Sequence, residues 1–236
     1  MTSVITHLHA VVREVEPTQD EWMQAITFLT RTGQLCDDVR QELILLSDAM
    51  GVSMLVDAIN NRKGMGVTES TVLGPFYAGG SSELPLGANI ALAPNGQPCF
   101  LSGRALTPDG SPVSGARLDV WQSNADRFYN VQQLDSQPEG NLRGVFHTDP
   151  EGRWYFQSIV PASYPVPDDG TVGGLLHALG RHLWRPAHVH FIISAPGYQT
   201  LLTHLFVIGA QRRLGALLDN GGGSHDRVCD VPRAMH

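Results

Sequence analysis

The chain contains the stretch Arg185-Pro186-Ala187-His188-Val189-His190-Phe191-Ile192-Ile193, whose β-branched and aromatic residues predict a β-strand. In a strand, residues two apart point to the same face and lie roughly 6–7 Å apart along the chain. His188 and His190 should therefore share one face, from which two imidazoles can bind a single metal ion. A strand-based fold and a metal site are the first two hypotheses.

Other short segments carry the alternation and the turn residues of strands. They span residues 100–106, 116–122, 144–148, 153–156 and 200–208. Asp149-Pro150-Glu151-Gly152 predicts a hairpin between the third and fourth of them. Ala195-Pro196-Gly197-Tyr198 joins the histidine strand to the last one. Several short strands separated by turns favour a β-sandwich.

The segment 18–62 predicts helices instead, because apolar residues recur at helical spacing and no proline lies between Pro17 and Pro75. Gly33 and Gly51 are the expected breaks. Helix packing is the first interpretation of these apolar stripes, and a groove for a partner or ligand is the second. The expected fold class is mainly β with an α-helical N-terminal part: a β-sandwich catalytic domain plus a helical dimerisation region.

The composition limits the classes of partner. With 236 residues and 42% hydrophobic content, the chain can bury a sizeable core. Its net charge of −7 disfavours nucleic acid and anionic membranes as partners. No segment approaches the roughly 18–20 apolar residues of a membrane span, and the N-terminus lacks the apolar block of a signal peptide. The three cysteines are too widely spaced for a disulfide framework, so a cytoplasmic location is expected.

The spacing alone leaves open what completes a site with His188 and His190. Zinc usually takes three nitrogen or sulfur ligands, and a non-haem Fe(II) oxygenase takes two histidines and a carboxylate. No His-x-Asp or His-x-Glu pattern accompanies this pair. Tyr129 follows a predicted strand and Tyr164 lies in a proline-rich loop. A phenolate suits Fe(III), although an ordinary buried ring is the alternative for each tyrosine.

Six separated motifs, in this order along the chain, resemble the intradiol ring-cleavage dioxygenases. The resemblance covers roughly residues 18–208. The motifs are Glu69-Ser70-Thr71-Val72-Leu73-Gly74-Pro75-Phe76-Tyr77; Asp119-Val120-Trp121-Gln122-Ser123-Asn124 leading to Tyr129; Asn141-Leu142-Arg143-Gly144 with Thr148-Asp149; Ser158-Ile159-Val160-Pro161; Gly180-Arg181-His182; and the histidine strand with Ser194-Ala195-Pro196-Gly197-Tyr198.

This resemblance implies a non-haem Fe(III) site with two tyrosinate and two histidine ligands, and no nucleotide or flavin cofactor. The matching residues are Tyr129, Tyr164, His188 and His190. The expected partners are a small aromatic diol or triol and O2. In the family, a helical N-terminal part forms the dimer and commonly holds a lipid at the interface. We therefore expect a homodimer with a lipid site between the subunits.

Further matches imply catalytic and pocket residues. Tyr164 matches the tyrosine that accepts a proton from the substrate. Arg185 matches an arginine beside the substrate ring, where a guanidinium stabilises negative charge. His204 stands where simple catechol 1,2-dioxygenases carry glutamine, beside the ligands rather than among them. The positions that match the ring pocket are Met54, Asp57, Val72, Leu73, Gly74, Pro75, Phe76, Val166 and Pro167.

The stretches 46–57 and 164–170 are most similar to the branch of the family that opens hydroxyquinol (1,2,4-trihydroxybenzene). Its product is 3-hydroxy-cis,cis-muconate, which tautomerises to maleylacetate. A carboxylate such as Asp57 could accept a hydrogen bond from the extra hydroxyl, and a site built for such a bond discriminates strongly. Cleavage of catechol or chlorocatechol is the alternative within the same chemistry.

The sequence thus predicts three regions: a helical dimerisation region (1–67), an iron-binding β-sandwich (68–208) and an atypical tail (209–236). The tail is rich in Gly, Arg and Ala, and it lacks the acidic turn and strands with which the family normally continues. A changed reading frame or a divergent ending would account for it, and would expose a sandwich edge. The alternatives from other classes are a β-sandwich binding module that has lost catalysis and a zinc hydrolase.

Overall fold

The computed structural model describes residues 1–38, 40–93 and 95–207. The tail predicted at 209–236 lies outside these described residues. Within them there are five α-helices and eight strands. The helices are α1 (Thr2–Val15), α2 (Gln19–Gln34), α3 (Glu42–Ala49), α4 (Val52–Asn60) and α5 (Thr171–Ala178). The strands are β1 (Pro98–Arg104), β2 (Arg117–Gln122), β3 (Arg143–His147), β4 (Arg153–Ile159), β5 (Tyr164–Pro165), β6 (Trp184–Arg185), β7 (His188–Ser194) and β8 (Leu201–Phe206).

α2, α3 and α4 lie within the segment 18–62, as the apolar spacing predicts, whereas α1 precedes that segment. α2 begins with a capping box, in which the Thr18 hydroxyl accepts from the Glu21 N–H and the Glu21 carboxylate accepts from the Thr18 N–H. Gly51 adopts a φ of +73° immediately before α4, so the break expected there is correct. The other break follows Gln34, one residue after Gly33. No helix in the described ranges combines the length and apolarity needed to cross a bilayer.

Two antiparallel sheets carry most of the strands. β1 pairs with β4, and a second sheet has the order β3-β2-β7-β8. Both contribute to one hydrophobic core, in which Trp154 and Phe156 of β4 cluster with Leu118, Val120 and Phe191 of the second sheet. The face of β7 that carries Val189, Phe191 and Ile193 is buried in this core, so its other face is left for the two histidines.

The hairpin predicted around residues 149–152 is wrong. The turn itself forms, because the Asp149 N–H donates to the Arg153 carbonyl at 3.0 Å. However, β3 pairs with β2 and β4 pairs with β1, so the turn links two different sheets. Successive residues of β3 are buried on both faces, whereas β4 alternates between exposed and buried positions. The strands that Ala195–Tyr198 was expected to join do form, and they pair with each other as β7 and β8.

The histidine strand begins later than its sequence predicts. β7 starts at His188, because Pro186 has no N–H to contribute to a ladder. Trp184 and Arg185 instead form β6, which pairs with β5 so that Arg185 lies opposite Tyr164. The predicted strand is therefore divided into β6 and β7. Its first residues form β6, which pairs with β5 and its Tyr164.

A buried carboxylate joins the helical part to α5. Glu42 is almost fully buried, and its Oε1 accepts from the Val172 N–H at 3.0 Å. Its Oε2 accepts from Nε and Nη2 of Arg40 at 3.1 and 3.0 Å. Arg40 also donates to Asp169, just before α5, at 2.9 and 3.0 Å. This contact fixes the helices against the chain that follows β5.

Candidate metal centre

Four buried side chains from three parts of the chain converge on one point. His188 and His190 project from the same face of β7. Tyr129 precedes a single 3₁₀ turn, Asn130–Gln132, and Tyr164 lies on β5. The sheet register and the β5–β6 pair thus bring together residues that are up to 61 positions apart in sequence.

The donor atoms of these four residues form a compact group. Oη of Tyr129 lies 2.9 Å from Nε2 of His190, 3.2 Å from Oη of Tyr164 and 3.5 Å from Nε2 of His188. Nε2 of His188 lies 3.1 Å from Nε2 of His190 and 3.4 Å from Oη of Tyr164. These five separations are close to the edge of about 3.3 Å of a tetrahedron whose centre lies about 2.0 Å from each corner, a typical metal–ligand bond length.

The histidines are in the form that binds a metal. Nδ1 of His188 lies 2.6 Å from the Pro186 carbonyl, which can only accept, so Nδ1 carries the proton and Nε2 keeps its lone pair. Burial lowers the pKa of His188 to about 3. Burial also lowers the pKa of His190 well below its usual range, and the neighbouring histidines act in the same direction. Both imidazoles are therefore neutral at pH 7.

The tyrosines need a cation to ionise here. Burial raises the pKa of Tyr129 far above its usual value, and the nearby Tyr164 raises it further. The charges of Arg185 and Arg143 lower the same pKa, but by less. A multivalent metal ion at the centre of the group would supply the missing positive charge and hold the phenols as phenolates. The donor chemistry therefore fits a hard, highly charged ion.

Arg185 lies at the edge of this group. Its Nη1 donates to Oη of Tyr164 at 2.9 Å, and its Cζ lies 5.6 Å from the centre of the same ring. The predicted neighbourhood of Arg185 and the four candidate ligands is therefore present, although β6 and not the histidine strand carries the arginine.

His204 offers a competing ligand set. It lies on β8 directly opposite His190, with ring centroids 4.2 Å apart. The ligand nitrogens of His188, His190 and His204 all lie within 4.8 Å of one another. In the tyrosine-containing set, the five donor separations given above are 2.9–3.5 Å. Within the described residues, Nε2 of His204 is buried with no hydrogen-bond partner, which leaves it available to a bound molecule.

Two of the predicted pocket residues contact the candidate ligands. The Phe76 ring stacks on Tyr129, with centroids 4.7 Å apart and an interplanar angle of 22°. Gly74 has a φ of +76°, and a Cβ at this position would lie 3.5 Å from Cε1 of His190. The loop that carries both residues therefore passes directly over the metal centre, where glycine supplies a conformation that other residues rarely adopt.

The predicted pocket residues on α4 contact the chain just before that loop. The Thr71 hydroxyl lies 3.6 Å from Sδ of Met54. Asp57 accepts from the Ser70 hydroxyl at 2.5 Å with one oxygen and from Nδ2 of Asn61 at 2.7 Å with the other. Asp57 is therefore a structural contact of this segment, and any bond to a ligand must use a remaining lone pair.

The other predicted pocket residues differ in their exposure. Val72 is partly buried, whereas Leu73 and Pro75 are exposed. Val166 packs against the buried cluster of α3, α5 and Leu183, and Pro167 is exposed. Of the predicted pocket residues, Gly74 and Phe76 therefore lie beside the ligands. Met54 and Asp57 lie on α4, and the remaining five range from partly buried to exposed.

Several residues that support the site were assigned no role from the sequence. Trp121 is fully buried and stacks on His190, with centroids 4.6 Å apart and an interplanar angle of 11°. Tyr77 tilts against Trp121 at 4.8 Å and donates to Asp119 at 3.1 Å. Trp121 faces His190 because β2 pairs with β7. That pairing, which the sequence did not specify, is the signal that would have identified it.

Two family models together match nearly the whole described chain. One, described as "Catechol dioxygenase N terminus", matches residues 1–68, and the other, described as "Dioxygenase", matches residues 74–214. The chain belongs to the intradiol ring-cleavage dioxygenase family. The family resemblance inferred from the motifs is therefore confirmed, and the match begins earlier than residue 18.

Individual members of this dioxygenase family are also similar. Hydroxyquinol 1,2-dioxygenase from Rhizobium sp. (strain MTP-10005) is 57% identical over 87% of this chain and 70% of that protein. The 6-chlorohydroxyquinol 1,2-dioxygenase of Cupriavidus pinatubonensis is 52% identical over 87% and 74%. The crystal structure of hydroxyquinol 1,2-dioxygenase from Pseudomonas putida DLL-E4 is 54% identical, with a TM-score of 0.85 over 87% of this chain and 72% of that one.

Proposed function

We propose that this dioxygenase binds Fe(III) and opens hydroxyquinol between its two adjacent hydroxylated carbons, forming 3-hydroxy-cis,cis-muconate and then maleylacetate. The observation that carries the proposal is the four-donor group of two phenols and two neutral imidazoles around one point. The named activities of the similar enzymes support the substrate. Cleavage of a chlorinated hydroxyquinol is the second candidate, favoured by the 52% identity to an enzyme of that name.

The ligands would be Tyr129, Tyr164, His188 and His190. Two anionic oxygens and two imidazole nitrogens form a donor set that suits ferric iron better than zinc, since structural and catalytic zinc sites favour thiolate, imidazole and carboxylate. When bound, ferric iron supplies Lewis acidity, which favours the doubly deprotonated form of the diol. The protein takes up one of the two protons and places the ring, and the second proton leaves as water with a hydroxide ion.

Tyr164 is the proposed proton acceptor. Its Oη already accepts a hydrogen bond from Nη1 of Arg185, so this oxygen carries a charge-assisted contact whether or not it is a metal ligand. A proton that leaves a substrate hydroxyl can therefore move to Tyr164 without leaving Arg185 unpaired. The fixed guanidinium of Arg185 then remains beside the ring, where it stabilises negative charge.

His204 is proposed as a catalytic neighbour and not as a ligand. Its buried Nε2 has no hydrogen-bond partner in the described part of the chain, and its ring lies edge-on to His190. Burial lowers its pKa well below the usual range, so it meets a bound molecule as a neutral imidazole. A neutral imidazole can donate or accept one hydrogen bond there.

The ring pocket would lie between the loop 72–76 and α4. Gly74 and Phe76 line it beside the ligands, and Met54 and Asp57 approach it from the helix. We place Val72, Leu73, Pro75, Val166 and Pro167 around its rim. The stacked rings of Phe76 and Tyr129 would form its inner end. Under this proposal, the third hydroxyl of the substrate bonds to Asp57.

We further propose that the helical region, residues 1–67, is a dimerisation surface and that 68–208 forms the β-sandwich that carries the iron. None of the residues of α1 is buried against the described chain. Its exposed apolar residues are Val4, Ile5, Leu8, Val11, Val12 and Val15, which form one helical stripe. A 14-residue helix without tertiary packing is marginal in water, so this stripe needs a second copy of the chain.

The dimer can be tested directly. Leu8→Glu combined with Ile26→Glu should shift the purified protein from dimer to monomer in light scattering, and a monomeric wild-type protein would contradict the proposal. Mass spectrometry of an organic extract would then show whether a lipid accompanies the dimer.

The enzyme itself can be tested by colour. Tyrosinate bound to Fe(III) gives a wine-red charge-transfer band, so the iron-loaded protein should be red and a colourless one would overturn the proposal. Anaerobic hydroxyquinol should perturb this band at lower concentration than catechol. Tyr129→Phe and Tyr164→Phe should each weaken it, whereas the matched control His204→Gln should retain it.

On admission of air, consumption of one O2 per ring and formation of maleylacetate should follow. Fastest turnover of catechol would retain the iron site but contradict the substrate.

A further inference from the structure

Arg143, the first residue of β3, forms hydrogen bonds with two residues that lie beside the candidate ligand Tyr129. It is 6% exposed, and it stands opposite Trp121 in the register of β2 and β3. Its Nε donates to Oδ1 of Asn130, and its Nη2 donates to the carbonyl of Phe76 at 2.5 Å. One guanidinium therefore binds two segments that are 54 residues apart in sequence.

Those two segments carry the two rings that stack at the site. Asn130 directly follows Tyr129, and the Phe76 ring lies 4.7 Å from the Tyr129 ring at 22°. Phe76 also meets Tyr164 edge-on at 6.4 Å. The chain around Tyr129 is held a second time, because its N–H donates to Oε1 of Gln132 at 2.9 Å. Arg143 thus determines how far the pocket loop stands from a proposed ligand.

We propose that Arg143 is a positioning residue of the metal centre: its forked guanidinium fixes the Tyr129 ligand and the Phe76 wall of the ring pocket at one separation. Only a planar fork can hold both acceptors at once, since a lysine ammonium is a single point on a flexible stem. The inference rests on the proposed iron site, because the Tyr129 geometry matters most when its oxygen is a ligand.

The electrostatics of Arg143 support this role. Burial lowers its pKa, and the neighbouring Asp119 and Tyr129 raise it, so the group stays charged. Within the described chain its Nη1 is buried without a partner, which means that its charge is not fully neutralised by hydrogen bonds. This positive charge also favours the phenolate form of Tyr129.

The test compares Arg143→Lys with a matched control, Arg117→Lys, in the iron-loaded protein. Arg117 lies in the same sheet and forms an ion pair with Asp119 at 3.3 Å, but it binds neither Asn130 nor Phe76. Arg143→Lys should shift the tyrosinate-to-iron band and weaken iron binding by about 10- to 100-fold, the usual effect of losing a group that orients a ligand. Arg117→Lys should leave band and iron affinity unchanged.

Asn130→Ala keeps the proposal testable if Arg143→Lys fails to fold. It removes the same hydrogen bond from the other side, so it should shift the band in the same direction. In the double variant the combined shift should be smaller than the sum of the two, because both substitutions break the contact between Arg143 and Asn130. A red wild-type protein whose band and iron affinity survive Arg143→Lys or Asn130→Ala would overturn this inference alone. A colourless wild-type protein would overturn the proposed function instead.

Discussion

Nη1 of Arg185 donates a hydrogen bond to Oη of Tyr164 over 2.9 Å. The contact follows from the backbone, because Tyr164 and Arg185 stand directly opposite each other in the β5–β6 pair. A guanidinium cannot lose its proton at physiological pH, so the tyrosine oxygen always has a cationic donor beside it. The pair therefore stabilises this oxygen as a phenolate and also remains in place when the oxygen is protonated.

Arg185→Gln should lower kcat/KM for hydroxyquinol by about 100- to 1,000-fold, the usual effect of removing one donor from developing negative charge. The iron band should persist, because none of the four ligands is changed. Arg185→Lys should lose less activity, since it keeps the charge but not the fork. Steady-state kinetics and the visible spectrum of the same samples provide the measurement. Unchanged kcat/KM, or loss of the band, would contradict a role at the substrate.

The stability of the metal-free protein should depend on pH through its buried histidines. The pKa of His188 falls to about 3 in the fold, whereas an exposed histidine titrates near 6.5. The unfolded chain therefore binds more protons between these values, so stability is complete above about pH 6.5 and decreases as the pH falls. His190 and His204 act in the same direction. Each histidine contributes a slope of at most about 1.4 kcal/mol per pH unit.

Chemical unfolding of the metal-free protein at several pH values between 7 and 5 measures this slope. His204→Gln removes one of the three titrating groups without removing a proposed ligand, so its profile should be shallower. A free energy of unfolding that does not change over this range would contradict the burial of the three neutral imidazoles.

The contact that joins α3 to α5 through Arg40 should depend more on its buried carboxylate, Glu42, than on its exposed one, Asp169. Glu42→Ala should cost about 3 kcal/mol of stability, because it leaves the Val172 N–H and part of the Arg40 charge buried without their acceptor. Asp169→Ala is the matched control: it also removes a carboxylate bound to Arg40, but that side chain is 70% exposed and the change should cost less than about 1 kcal/mol. Denaturant unfolding compares the two, and equal losses would show that the buried contact is not the anchor.

Hydrophobic periodicity and turn residues alone identified the elements of this fold, but not which strands pair with each other. The alternation along residues 153–156 does predict a strand, and β4 is there. The turn at Asp149 suggested that this strand pairs with its predecessor, yet β4 pairs with β1. A tight turn fixes a local reversal of the chain, whereas the choice of sheet depends on which faces must be buried. β3 is buried on both faces, so its residues do not alternate between buried and exposed positions as those of a half-exposed hairpin strand do.

The site was predictable to the extent that it lies within motifs. His188 and His190 follow from strand geometry, and the tyrosines came from the family resemblance. Trp121, which stacks on His190, and Arg143, which holds Asn130 and the Phe76 carbonyl, act through contacts across strands and loops. Such contacts have no fixed spacing along the chain, so the sequence contains their residues without indicating their role.

Asp57 tests whether substrate choice is made on α4. Its two oxygens already accept from Ser70 and Asn61 at 2.5 and 2.7 Å, which leaves lone pairs for a further donor. If the third hydroxyl of hydroxyquinol is that donor, Asp57→Ala should lower kcat/KM for hydroxyquinol at least about tenfold more than for catechol, which has no such hydroxyl.

Ser70→Ala is the control for local disturbance, because it removes the Ser70 contact and keeps the carboxylate. This variant should therefore retain the preference for hydroxyquinol even if both activities fall. Equal losses on the two substrates in Asp57→Ala would mean that Asp57 only holds the segment before the pocket loop. In that case the buried Oδ1 of Asp48, which has no hydrogen-bond partner in the described chain, becomes the next carboxylate to substitute. Burial raises the pKa of Asp48 above its usual value, and a hydrogen bond from Ser53 and the charge of Arg185 oppose this rise, so that carboxyl lies within electrostatic reach of Arg185.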